Sequence, residues 1–220
     1  MSSTAIKNIV KKEFALFIAP IAYIMLLTSA MTAIPSYPVI VGIGYAALSI
    51  NVCFNLARAN NDQKFTGMLP VPRNAIVFGR HVSIVIIELM QILVAVPFAF
   101  VSLYITNPGG NPVGMDANLS FFGVALISYA VFNLIFLPWF FRTGYKAGIP
   151  MLVAIFAFVV TYGVFEVLHF ATPCGVIFDG VNPEYLWARL VMFFVGVAIY
   201  VGSAVLSYFL STKNFRKVTV

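Results

Sequence analysis

His81, Glu88 and Gln91 fall on one helical face at the start of an apolar run from Val82 to Ile105. Tyr162, Glu166 and His169 repeat the pattern toward the end of a run from Ile149 to Phe170, and Asn51 and Asn55 do so within a run from Tyr37 to Ala57. Side chains three, four or seven residues apart meet on one side of a helix. In a hydrocarbon setting a carboxylate turned to lipid costs roughly 2.5 to 3.5 kcal/mol, so each must meet protein, water or a partner, or hold a proton. Two chemistries fit these groups. One is a polar pathway, or a site for cationic groups of a ligand. The other is hydrogen bonding between helices, worth about 0.6 kcal/mol per bond on average.

The elements that position these groups are legible from hydropathy. The 220-residue chain is 61% hydrophobic and only 9% charged, whereas soluble domains carry about 25% charged residues. Six apolar runs stand out, approximately 14–34, 37–57, 82–105, 119–141, 149–170 and 186–211. Each is long enough to cross a hydrocarbon core of ~30 Å at ~1.5 Å per residue. The expectation is an all-α membrane protein with six transmembrane helices, forming one domain over residues 1–220. The first run is too long for the core of a signal peptide, so no cleavage is expected. On this layout Cys53 and Cys174 lie a bilayer apart and cannot pair.

Of the 13 Lys and Arg residues, all but Arg189 fall at the ends and loops on one side of this topology. By the positive-inside rule both termini are cytosolic, and the net charge of +6 reflects topology and anionic lipid headgroups. Nucleic acid is not needed to explain it. Residues 3–14, STAIKNIVKKEF, alternate apolar and basic faces at helical spacing and read as a short amphipathic helix at the inner interface. Pro20, Pro97, Pro138 and Pro150 are expected to kink their spans. The small-residue pairs Gly42 with Ala46, and Ala198 with Gly202, would permit close helix packing.

Motifs for other chemistries are missing. The sequence has no GxxxxGK[ST] phosphate loop, no HExxH and no GxSxG turn, so neither nucleotide hydrolysis nor zinc or serine hydrolysis has a site to stand on. DGVNPEYLWAR superficially resembles the start of a CDP-alcohol phosphotransferase signature, but its spacing is wrong and the downstream aspartates are missing. The chain is expected to be non-catalytic, without a metal or cofactor of its own.

The longest polar interruption is NNDQKFTGMLPVPRNAIVFGRH, residues 60–81, within a loop from 58 to 81. It places Phe65, Met68 and Leu69 among Asp62, Gln63 and Lys64, then breaks at Pro70 and Pro72. This reads as a short amphipathic cytosolic helix with apolar knobs that a second protein would cover, or as an ordinary interfacial loop. The stretch resembles the pattern of an acidic residue, a Lys, Leu-Pro-Val-Ser/Pro-Arg and Ile-Val in six-span permease subunits of bacterial type-2 ABC transporters. LPWFFRTGYKAGIP, residues 137–150, is similar to the segment between spans four and five of that family, and IKNIVKKEF to its leading helix. Permeases of phenol-soluble-modulin exporters and bacteriocin-immunity systems are the relatives it looks like. Pro72 replaces the motif's usual Ser and stiffens the exit from the helix.

The resemblance implies an exporter of amphipathic or hydrophobic peptides, built from two permease copies and two ATP-binding subunits that hold ATP and Mg. It implies that Asp62, Lys64, Phe65, Met68 and Leu69 form a coupling helix, with Arg142, Tyr145 and Lys146 as the other contact with the ATPase. The alternative is a self-contained channel or a membrane interaction protein with no ATPase partner.

Overall fold

The computed structural model describes residues 3–144, 146–172 and 174–217, and all regular structure among them is helical. The order is α1 (Ser3–Lys12), α2 (Pro20–Leu26), α3 (Ile40–Ala59), α4 (Asp62–Met68), α5 (Arg73–Val101), α6 (Leu119–Arg142), α7 (Gly148–Ala171), α8 (Cys174–Phe178) and α9 (Leu186–Phe215). Helices α3, α5, α6, α7 and α9 are long and apolar enough to span a membrane, and a sixth span results if a bent pair at the start counts as one. The last five runs read from hydropathy therefore match helices to within a few residues, except that α5 begins nine residues earlier, directly after Pro72.

The first run departs from expectation. A wide π turn, Glu13–Phe17, extends α1, and the chain then bends by 82° into a second arm, Pro20–Ala33. Ala19 is extended at φ −70°, ψ 146°, the conformation that a following proline imposes, so Pro20 starts a helix instead of kinking one. The amphipathic arm consequently runs to Phe17, and Phe14–Ile34 is not one straight span. The second arm is α2 continued by a 3-10 stretch, Leu27–Ala33. Its stretched rise of ~2.0 Å per residue brings 14 residues to about 25 Å, close to the hydrocarbon thickness. Pro97 and Pro138 lie inside α5 and α6, whereas Pro150 sits in the first turn of α7, where a proline is accommodated without a kink.

The centre of the bundle is α6, buried along most of its length and packed most extensively against α9. Two glycines make that contact. A Cβ on Gly123 would stand 2.6 Å from the Met192 carbonyl oxygen, and one on Gly196 would run into the Gly123 backbone. With no side chain between them, the two backbones touch, the arrangement that drives association in lipid. Gly42 is similarly crowded by Thr32 in the second arm, whereas Gly202 faces open space. A cluster of rings from Phe54, Phe132, Phe136, Phe140 and Phe141 fills the half of the bundle nearer the termini.

Candidate functional site

The segment from Asn60 to Pro72 folds for local reasons. α3 ends at Ala59, and Asn61 reverses the chain in the left-handed region at φ 53°, which Asn tolerates better than most residues. Asp62 then opens α4, where a carboxylate suits the helix N-terminus. Leu69 leaves the helix extended, and Pro72 precedes the first residue of α5. A helix of seven residues is not stable alone, so tertiary contacts must hold it.

Those contacts are ionic. Lys12 Nζ lies 2.5 Å from Asp62 Oδ1 and 3.1 Å from Glu13 Oε1, and donates to Thr66 Oγ1 at 2.6 Å. Arg80 binds both carboxylates, through Nη2 to Asp62 Oδ2 at 2.8 Å and through Nε to Glu13 Oε2 at 3.1 Å. Its guanidinium stacks 3.7 Å above the Phe17 ring, with Phe54 at 5.4 Å. Glu13, Asp62, Thr66 and Arg80 are all buried. Burial raises the Asp62 pKa, but Arg80 and then Lys12 overrule it and hold the carboxyl below its ordinary value. Two cations and two carboxylates thus lock α1, α4 and α5 together.

The opposite face of α4 is bare. Phe65 is 50% and Met68 80% exposed, Lys64 is exposed, and Leu69 is half-buried. Of the five residues read as a coupling helix, Asp62 therefore turns inward as the anchor. Arg142 ends α6 exposed, and Lys146 is exposed with its carbonyl accepting from Thr143 Oγ1 at 3.1 Å. Tyr145 lies outside the described residues. Arg73 closes this end of the bundle by donating to the carbonyls of Phe215 and Arg216 at 3.3 and 3.4 Å.

The polar groups within the spans do not converge on one channel. Glu88, fully buried, accepts at Oε2 from Asn133 Nδ2 at 2.8 Å and from the Tyr200 hydroxyl at 2.6 Å. Ser207 donates to the Asn133 carbonyl at 2.9 Å and lies 3.2 Å from His81 Nε2, so the chain of contacts joins α5, α6 and α9. Gln91 points elsewhere: its Nε2 donates to the Gly42 carbonyl at 2.7 Å and to Ser29 Oγ at 2.8 Å, pinning the second arm to α3. At the far end, Glu166 Oε1 accepts from Met115 N at 3.1 Å, and His169 Nε2 lies 3.2 Å from Asp179 Oδ2. Tyr162 is buried edge-on to Phe121. Asn55 donates to Asn51 at 3.1 Å, and its own side chain is exposed. Glu88 and Gln91 thus tie helices together, while Glu166 and His169 brace loops. His169 also lines a small apolar cavity of about 230 Å³ with Met115, Phe165 and Phe178.

Sequence reasoning missed Glu13, Arg80, Asn133 and Tyr200. Arg80 follows apolar Ala75, Ile76 and Val77 in α5, but a charge beside an apolar stretch is more often solvated than buried, so the sequence alone did not single it out.

A bundle of apolar helices with an ionically anchored short helix projecting a bare face defines a multi-pass membrane protein. Residues 5–216, nearly the whole chain, match the family model described as ABC-2 family transporter protein. The chain belongs to that family and is the membrane component of an ABC-2 type transporter. No curated protein and no solved structure gives a match.

Proposed function

We propose that this chain is the permease of an ATP-driven exporter of amphipathic or hydrophobic peptides, and that α4 is its coupling helix. The working unit is two permease copies with two ATP-binding subunits, which bind ATP and Mg and supply the hydrolysis. The termini, α4 and the segment around Arg142 and Lys146 face the cytosol. The choice of peptide cargo rests on the resemblance to modulin-exporter permeases.

The observation that carries the coupling reading is the two-faced character of α4. Asp62 and Thr66 are held by Lys12 and Arg80, while Phe65 and Met68 project without cover. An apolar knob entering a pocket on a partner gives the kind of contact that carries most of an interface's energy. A push on those knobs reaches α1 through Lys12 and α5 through Arg80, because both cations grip the same Asp62 carboxylate.

The test is co-purification with a co-expressed ABC-type ATP-binding protein, comparing wild type with Phe65→Ala/Met68→Ala/Leu69→Ala. The expected result is loss of assembly, or of ATPase stimulation by an amphipathic helical peptide, with the permease itself still folded. A triple variant that assembles and turns over like wild type would remove α4 from the coupling role.

A further inference from the structure

At the end of the bundle remote from the described C-terminal end of α9, the ends of α5, α6 and α9 enclose a groove of about 410 Å³. That volume lies in the range of small-molecule sites, roughly 300–1,000 Å³. Ile92, Val96, Phe100, Phe122 and Phe193 form apolar walls, and exposed Phe100, Tyr104 and Leu186 stand at its mouth. Besides Tyr104 at the mouth, two polar side chains line it, Asn118 and Arg189. Asn118 is fully engaged: its amide donates to the carbonyls of Phe178 and Gly180, and its oxygen accepts from Phe121 N.

Arg189 is not. It is 95% buried by its relative exposure of 5%, one Nη donates to the Asn182 carbonyl, and its Nε has no hydrogen-bond partner. Among the described residues no carboxylate pairs with it, in contrast to Arg80, whose guanidinium meets the carboxylates of both Glu13 and Asp62. A buried guanidinium with an unused donor is costly unless an anion completes it. The level of the charge is also marked. Trp187, two residues away, and Tyr104 across the groove are both exposed, and exposed Trp and Tyr gather at the headgroup level of a bilayer. An anionic headgroup above an apolar wall is therefore the chemistry that the groove meets.

We propose that this groove binds an anionic phospholipid from the leaflet at that end, with the phosphate on Arg189 and one acyl chain along Val96, Phe100 and Phe193. Phe100 and Leu186, which line the groove, are exposed and apolar, so a lipid would enter past them from the bilayer with no aqueous route required. The site is independent of α4 and of the export reading.

The test uses the purified, delipidated full chain in neutral detergent, with thermal unfolding followed during titration with phosphatidylglycerol, phosphatidylcholine or inorganic phosphate. Phosphatidylglycerol is expected to raise the unfolding temperature saturably, with little response to the other two. Arg189→Ala should weaken the apparent affinity about tenfold, as loss of a charged hydrogen bond does, and Arg142→Ala at the opposite end should not change it. Leu103→Trp, which fills the groove and keeps the guanidinium, should weaken it as well, and carries the test if Arg189→Ala does not fold. Equal responses to the two lipids, an unchanged Arg189→Ala, or an unchanged Leu103→Trp would overturn the proposal. Saturation by inorganic phosphate alone would overturn it in favour of a free oxyanion.

Discussion

Replacing Arg80 by Met asks whether the ion cluster holds the amphipathic arm, α4 and α5 as one unit. The native cluster balances Lys12 and Arg80 against Glu13 and Asp62. Methionine keeps much of the aliphatic volume but leaves both buried carboxylates to share one ammonium. Removing one partner of a buried ion pair costs about 3–5 kcal/mol. Loss of the guanidinium stacked 3.7 Å above Phe17 adds about 1–2 kcal/mol. A destabilisation of about 4–7 kcal/mol is a large share of the stability of a typical domain, about 5–15 kcal/mol. In Glu13→Gln/Arg80→Met, a charge of each sign disappears, and Lys12 with Asp62 remains balanced. That double variant is expected to be more stable than Arg80→Met alone by about 2 kcal/mol. The assay is unfolding of the purified chain in mixed micelles titrated with dodecyl sulfate, followed by fluorescence of Trp139 and Trp187. An Arg80→Met variant within about 1 kcal/mol of wild type, or a double variant whose loss equals the sum of the two singles, would refute the reasoning.

Asp62 titrates below its ordinary value, so its contribution is present above the unfolded carboxyl pKa of about 3.9 and is lost as pH falls through the lower folded value. Limited proteolysis of residues 60–72 should therefore be unchanged between pH 7 and pH 5 and accelerate only below about pH 4; acceleration at pH 5 would contradict the pairing. Gly196→Ala drives a Cβ into the Gly123 backbone and should cost about 1–3 kcal/mol, read as a lower temperature of aggregation on size-exclusion chromatography, whereas Gly202→Ala should be neutral. Tyr200→Phe removes the 2.6 Å donor to Glu88 and should cost about 1–3 kcal/mol in the same micelle titration.

The spans were legible because long apolar runs at ~1.5 Å per residue leave few alternatives, and α4 because Pro70 and Pro72 punctuate it. The bend at Ile18–Ala19 was written in the sequence too, as the extended preference of a residue before proline, but composition alone does not distinguish a kink from a new start. The ion cluster was not legible: Glu13 and Arg80 are far apart in sequence, and each alone looks like a solvated charge on a basic inner surface. Glu88 and Gln91 were rightly placed on nearly the same face, yet a three-residue step leaves about 60° between them, and that angle sends one to α6 and α9 and the other to the second arm. The glycines that join α6 to α9 escaped notice because they sit on different helices, and spacing rules compare residues within one.

The contact between Gly123 and Gly196 also limits how this protein can change shape. Two helices whose backbones meet with nothing between them cannot roll past each other by exchanging rotamers, since there are no rotamers to exchange. On the proposed coupling reading, α6 and α9 form the fixed part of the permease against which α4 would act. The ion cluster joins the first arm, α4 and α5 at Asp62, and on the same reading these would form the moving part. The seam between the two parts runs through Glu88 with Asn133 and Tyr200, and these hydrogen bonds are short-range fasteners that a stroke of an ångström or two would open.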